Sequence, residues 1–95
     1  EATAAELPAA LREQYRTRKT EIFAKAARLA DQSSTPENAW NGFIDDLHRL
    51  AGTAGFFGDA ALGEAAGELE HDLLAAAATA RSALVARFLP LLERA

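Results

Sequence analysis

The stretch that decides the fold is residues 35–59, which reads TPENAWNGFIDDLHRLAGTAGFFGD. Its apolar residues are spaced alternately by three and four positions, which places them on one face of a helix packed in a bundle: Trp40, Phe43, Leu47, Leu50, Ala54 and Phe57. We predict that this helix begins with Thr35 as N-cap and Pro36 as its first residue. We expect it to end at Gly58 and Asp59.

Three further amphipathic helices flank this one. The first is predicted to open at Thr3, with Glu6 at a capping-box spacing, and to carry one row of residues spaced by three and four: Leu11, Tyr15, Arg18, Ile22, Ala26 and Leu29. The third should be capped by Asp59 and carry an inward row of Leu62, Ala66, Leu69, Leu73 and Ala76. The fourth should be capped by Thr79 or Ser82 and carry Leu84 and Phe88. Pro90 is expected to kink that helix or to end its regular part near Leu89.

Composition agrees with an all-α fold. The chain of 95 residues contains 24 alanines and 13 leucines, and runs of β-branched or aromatic residues are missing. This length limits the chain to a single core. Four amphipathic helices with short connections predict an antiparallel four-helix bundle with up-down topology.

Charge and residue usage narrow the classes of function. The net charge is −4 and the chain has no cysteine, which excludes thiol nucleophiles and thiolate zinc sites and favours a cytoplasmic location. No window approaches the ~20 apolar residues that a membrane span needs. Only four basic residues follow residue 35, so nucleic acid is a poor partner. We therefore expect protein partners, and neither a membrane nor nucleic acid.

His48 is the strongest candidate for a functional residue. It follows Leu47, so it lies about 100° around the helix from the apolar face and is predicted to face solvent. Gly52 and Gly55 come four and seven residues later, and each helix glycine costs ~1 kcal/mol relative to alanine. Bare backbone beside the imidazole would let a macromolecule or a phosphoryl group approach it closely. We expect Ile44, on the same side of the helix, to join a docking surface.

From His48 the segment reads HRLAGTAGFFG through Gly58, and Leu62 and Glu68–Glu70 follow in the next helix. This motif resembles that of the histidine-containing phosphotransfer (HPt) domain family: His-x-Leu-x-Gly-Ser/Thr/Ala, then small residues and a glycine. The resemblance covers residues 7–92 in helix pattern and 45–73 in motif. One position differs, because many family members have a lysine three residues after the histidine, where this chain has Ala51.

The resemblance implies a phosphocarrier with no catalytic machinery of its own. His48 would be the phosphoacceptor, exchanging phosphoryl groups with a receiver-domain aspartate or accepting one from a sensor histidine kinase. Arg49 is a possible neighbour of the phosphate. No cofactor is expected on this chain, since the receiver would supply the Mg²⁺. We expect one domain over residues 1–95, belonging to a longer signalling protein.

Two other interpretations remain open. The same glycine-lined face could bind a partner protein without phosphorylation. A metal-dependent enzyme built on His48 and Asp45 is the weaker alternative, because no Ser, Cys or second His lies at a helical spacing that would complete such a site. His71 with Glu68 supplies only two ligands, so we predict no metal site there.

Overall fold

The computed structural model describes residues 8–32 and 35–94. Within these ranges the chain forms four α-helices and two short 3₁₀ turns: α1 (Ala9–Asp31), α2 (Glu37–Thr53), a turn at Ala54–Phe57, α3 (Ala60–Ala75), a turn at Ala78–Ala80, and α4 (Arg81–Arg94). The predicted all-α antiparallel four-helix bundle is confirmed. The predicted cap at Thr3 lies outside the described residues.

Contacts between helices show the antiparallel order. Lys25 on α1 pairs with Asp46 on α2, whereas Lys19, earlier on α1, pairs with Asp59 beyond the end of α2. Helix α2 packs mainly on α3, and α1 packs mainly on α4, so the α1–α2 contact is the more open one. The bundle measures 43 × 21 × 19 Å.

The core joins residues from all four helices. It comprises Ile22, Ala26, Leu29, Trp40, Phe43, Ile44, Leu47, Leu50, Ala54, Leu62, Ala66, Leu69, Leu73, Val85 and Phe88. The predicted inward rows of α2 and α3 are buried, except that Phe57 is half-buried and Ala76 follows the end of α3. Burial of these apolar faces is what holds the helices together.

The start of α2 differs from the prediction by one residue. Pro36, with ψ of 148°, stands at the N-cap, and its carbonyl accepts the backbone N–H groups of Ala39 and Trp40. Thr35 is not the cap: its hydroxyl donates to the side chain of Gln32 at 2.9 Å. Gln32 follows the end of α1 and is therefore close enough to bind the Thr35 hydroxyl. Helix α2 begins without a side-chain cap.

The end of α2 is a tightened turn closed by Gly58. Gly58 has a φ of 87°, in the left-handed region that favours glycine, and its N–H donates to the carbonyl of Gly55. The N–H of Asp59 donates to the carbonyl of Ala54 at 2.8 Å, which completes a Schellman motif. The helical segment ends at the predicted Gly58–Asp59, but α2 itself ends at Thr53, and Gly55 lies in the 3₁₀ turn that follows.

Helix α4 corrects the caps predicted for it and one of the two effects expected of Pro90. It continues through Pro90 to Arg94 instead of ending near Leu89. Pro90 is exposed and removes a single backbone donor, a loss that packing of Val85 and Phe88 in the core can offset.

Neither Thr79 nor Ser82 caps α4. The Ser82 hydroxyl donates to the carbonyl of Gln32 instead, and this hydrogen bond joins α4 to the end of α1.

Candidate functional site

His48 lies on the exposed surface of α2. Its side chain is 72% exposed, while Leu47 beside it is fully buried. The exposure follows from helix geometry, because consecutive residues leave the axis about 100° apart. An imidazole in this position can be reached by another macromolecule.

Glu70 on α3 holds one of the two ring nitrogens. Its Oε2 lies 3.0 Å and its Oε1 3.3 Å from Nδ1 of His48, and its side chain is only 20% exposed. An ionised carboxylate accepts hydrogen bonds and cannot donate them, so Nδ1 must carry the proton. In the neutral ring Nε2 then holds a free lone pair.

No role at the site is predicted for Glu70 from the sequence, although Glu68–Glu70 follows the motif. His48 and Glu70 lie eleven residues on either side of Asp59, where the chain turns from α2 into α3. Residues equally distant from the corner of an antiparallel helix pair lie opposite each other, so this symmetry was an available signal. Whether two such residues also touch depends on the direction in which the α3 side chain points, which the symmetry alone does not give.

The glycines divide into two groups. A Cβ added at Gly52 or Gly55 would meet nothing within 4 Å, and both residues are exposed. In contrast, Gly63 on α3 is buried, and a Cβ there would lie 3.3 Å from the carbonyl oxygen of Ala51. Packing therefore accounts for Gly63, whereas no neighbouring atom requires glycine at Gly52 or Gly55.

Ile44 is not part of an exposed surface, and this prediction was wrong. Its exposure is only 8%, and it belongs to the core with Phe43 and Leu47. The buried face of α2 is wider than the spacing of its aromatic and leucine residues suggests, because α2 contacts both α1 and α3. A charged residue at position 44 would enter the core.

Arg49 lies on the other side of α2 from the His48–Glu70 contact. Its guanidinium pairs with Asp45 at 2.8 Å, one turn earlier on α2. The side chain faces α1, where it borders a cavity, and the predicted position beside the phosphate would require this pair to break. Arg49 as a phosphate neighbour stays a prediction.

That cavity is a groove of about 320 Å³ between α1 and α2. We call it the α1–α2 groove; it is lined by Leu11, Gln14, Tyr15, Arg18, Arg49, Thr53 and Phe57. The rings of Tyr15 and Phe57 stack in parallel at 4.3 Å, and Phe56, 59% exposed, meets Phe57 edge-on. The groove is therefore largely apolar, with two arginines at its rim.

One polar cluster fixes the corner beside the groove. The Tyr15 hydroxyl donates to Asp59 at 2.7 Å, and Nζ of Lys19 donates to the same oxygen at 3.0 Å. Burial and the contact with Asp59 raise the pKa of Tyr15 above its usual value. Burial opposes ionisation of Asp59, but the two hydrogen bonds outweigh it and lower the pKa of that carboxyl. Asp59 is the N-cap residue of α3 as predicted, but its side chain bonds to Tyr15 and Lys19 of α1 and makes no capping hydrogen bond.

Side chains that could bind a metal do not cluster in the described part of the chain. Within residues 8–32 and 35–94, no three His, Asp or Glu side chains gather as a metal site would require. His71 is exposed on α3. Over the same residues, no helix has the length and apolar character needed to cross a membrane.

Comparison with known proteins gives one match. A family model described as Hpt domain matches residues 3–95, nearly the whole chain. Neither the curated proteins nor the solved structures that were searched include a match.

Proposed function

Because the chain belongs to the Hpt domain family, we propose that it is a phosphocarrier of a phosphorelay and that Nε2 of His48 carries the phosphoryl group. The observation that carries this proposal is the contact between Glu70 and Nδ1 of His48. It leaves the exposed Nε2 as the nucleophilic nitrogen of the neutral ring. Family membership supports the reaction class, and the Glu70 contact supports the choice of Nε2 as the reacting atom.

The reaction we propose needs no base on this chain. The lone pair on Nε2 attacks the phosphorus of an aspartyl phosphate on a receiver domain, the N–P bond forms, and the P–O bond to the aspartate breaks with its electron pair. No proton must leave Nε2, because the ring proton is on Nδ1. The product ring is positively charged, and the carboxylate of Glu70 stabilises that charge.

The reverse transfer returns the phosphoryl group to a receiver aspartate. The bond from Nε2 to phosphorus breaks, and the ring recovers its lone pair. A sensor histidine kinase is the alternative source of the group. We propose that Mg²⁺ bound by the receiver neutralises the transferring phosphoryl, so that this chain contributes the nucleophile and its orientation.

Docking of the receiver is proposed for the end of the bundle that carries His48. Gly52 and Gly55 provide open surface beside the imidazole. The α1–α2 groove and the exposed Phe56 provide apolar area near the same end of α2. These surfaces replace the docking role that the sequence analysis gave to Ile44.

The experiment compares the two histidines of the chain. Wild type, His48→Gln and His71→Gln are incubated with a phosphorylated receiver domain and Mg²⁺, and acid-labile, base-stable phosphate is measured on each. His71 is the matched control, since it is an exposed histidine on the neighbouring helix. We expect phosphate on the wild type and on His71→Gln, and none on His48→Gln.

Two results would contradict the proposal. Phosphate on His48→Gln would place the group elsewhere on the chain. If a panel of receivers phosphorylates no variant while one of them still binds the wild type, the chain is better described as an interaction module that works without phosphorylation.

A further inference from the structure

Helix α3 approaches α2 closely at Gly63. A Cβ at this position would lie 3.3 Å from the carbonyl oxygen of Ala51 and 3.4 Å from the Cβ of Ala54. One turn later, a Cβ at Gly67 would lie 3.7 Å from the Cβ of Ala51, which is an ordinary contact. Backbone and methyl groups thus form the α2–α3 contact here, with no longer side chain between them.

The same faces of the two helices carry the His48–Glu70 contact. Gly63, Gly67 and Glu70 are spaced by four and three residues, so they share one face of α3. Opposite them, Ala51 and His48 on α2 and Ala54 just after its end are spaced by three and run in the opposite direction. The contact at Gly63 therefore lies in line with the contact at Glu70, two helical turns away.

We propose that Gly63 is a positioning residue for phosphotransfer, because its missing side chain sets the α2–α3 spacing at which Glu70 reaches Nδ1 of His48. This inference rests on the function proposed above. It assigns Gly63 no contact with the phosphoryl group. Its effect passes entirely through Glu70 and the orientation of the ring.

The atoms that Gly63 faces make this spacing sensitive to a side chain. Neither the carbonyl oxygen of Ala51 nor the Cβ of Ala54 can rotate away, so a larger side chain at position 63 must separate the helices. The Glu70–His48 distances are 3.0 and 3.3 Å, and a hydrogen bond is lost beyond about 3.5 Å. A displacement on the order of 0.5 Å at the ring is then enough to weaken the contact.

The test compares matched substitutions on one face of α3. Gly63→Val and the milder Gly63→Ala are compared with Gly67→Ala, whose added methyl group would make only an ordinary contact. The readout is the pair of ¹⁵N chemical shifts of the His48 ring at a pH where the ring is neutral, since these shifts report which nitrogen is protonated. Circular dichroism checks that each variant remains helical, and the rate of phosphorylation by a receiver is measured in parallel.

We expect Gly63→Val to move the ring from the Nδ1–H form toward the Nε2–H form and to slow phosphorylation about fivefold, as loss of one such hydrogen bond would. Gly63→Ala should show a smaller change in the same direction, and Gly67→Ala should match the wild type. In a Glu70→Ala background, Gly63→Val should add little, because the contact that Gly63 positions is already absent.

A folded Gly63→Val with wild-type ring shifts overturns the inference. Should Gly63→Val fail to fold, a folded Gly63→Ala with unchanged shifts overturns it equally. The chemical shifts require no phosphorylation. A chain that is never phosphorylated would therefore refute the proposed function while the ring measurement still decides whether Gly63 positions Glu70.

Discussion

At His48 the two ring nitrogens have different surroundings, and this difference supports the roles that we propose for them. Nδ1 faces the carboxylate of Glu70 at 3.0 Å, and the ring as a whole is exposed on α2. The carboxylate fixes the tautomer and the plane of the ring before a partner arrives. A nucleophile held in this way loses less orientational freedom when it reacts.

Substitution of Glu70 tests this assignment. Glu70→Gln keeps a hydrogen-bond acceptor but removes the charge that stabilises the phosphorylated ring, so we expect a loss of about 1 kcal/mol, or roughly fivefold in the rate of phosphorylation. Glu68→Gln, an exposed residue on the same helix, is the control and should retain the wild-type rate. Rates are measured by single-turnover transfer from a phosphorylated receiver, and equal rates in the two variants would remove Glu70 from the mechanism.

Sequence patterns predict the exposure of His48 but not its partner. His48 follows a residue of the apolar face, and helix geometry alone then turns it outward. Glu70 belongs to another helix, and its contact depends on how closely α3 packs. Ile44 shows the reverse case. Its place on α2 follows from the sequence, but its burial depends on how much of the α2 surface α1 and α3 cover.

At the level of the helix, α2 has a glycine at position 52, where an alanine would fit and would favour the helix more. A Cβ at Gly52 would meet no atom within 4 Å, so Gly52→Ala should stabilise the fold by ~0.5–1 kcal/mol. Gly52→Lys should also fold, but its long side chain would lie one turn from His48 and obstruct a docking receiver. Thermal unfolding and transfer rates are measured for both variants. Normal phosphotransfer by Gly52→Lys would contradict the role of Gly52 in access.

The corner between α2 and α3 gives a prediction about pH. The folded protein lowers the pKa of Asp59 relative to the unfolded chain, so the ionised carboxylate favours folding. This contribution is complete above the ordinary pKa of about 3.9 and is lost as pH falls through the lower folded value. We expect wild type to exceed Asp59→Asn in stability by on the order of 1 kcal/mol at neutral pH, with the difference shrinking below about pH 4.

Urea unfolding of the two proteins between pH 7 and pH 3 measures this difference. Asp45→Asn, which removes one side of a largely exposed pair with Arg49, is the control and should change little. A stability difference that is the same at all pH values would show that the Asp59 charge does not contribute.

The helix boundaries that depend on neighbouring residues in the chain can be predicted from the sequence, whereas contacts with distant residues cannot. The break at Gly58 depends on local turn residues, and the sequence predicts its place. Asp59 is the N-cap residue of α3 as predicted, whereas Thr35 lies one residue before the N-cap of α2; their side chains bond to Tyr15 and Gln32 and not to the helix that follows. Pro90 fails to end α4 because packing outweighs one missing hydrogen bond.

On the scale of the whole molecule, charge and apolar surface are unevenly distributed. Six of the ten Lys and Arg residues lie on α1, although the chain has a net charge of −4. The α1–α2 groove adds apolar lining between Arg18 and Arg49 at the end that carries His48. A partner that docks there should place carboxylates opposite these arginines.

Reversal of one charge at the groove tests this docking surface. Arg18→Glu should raise the KM for a phosphorylated receiver several-fold, with a smaller effect at high salt, because screening weakens exposed charges. Arg28→Glu makes the same charge change on the exposed surface toward the other end of α1 and should leave KM near the wild-type value. Equal KM values for the two variants would place docking elsewhere on the bundle.

The architecture is predictable from the sequence because helix propensity, apolar spacing and turn residues all favour one bundle. The groove is not, since it forms only where α1 and α2 separate. Tyr15 and Phe57 are far apart in the chain, and their stacking shows how residues from two elements build one surface. The spacing of apolar residues predicts which face of each helix is buried, but not where two helices separate to form a groove.

The measurement that tests the central claim most directly is the ³¹P–¹⁵N coupling in ¹⁵N-histidine-labelled protein after phosphorylation by a receiver. We predict that phosphorus couples to Nε2 of His48 and that Nδ1 keeps its proton beside Glu70. Phosphorus bonded to Nδ1, or to any atom outside the His48 ring, would contradict the account.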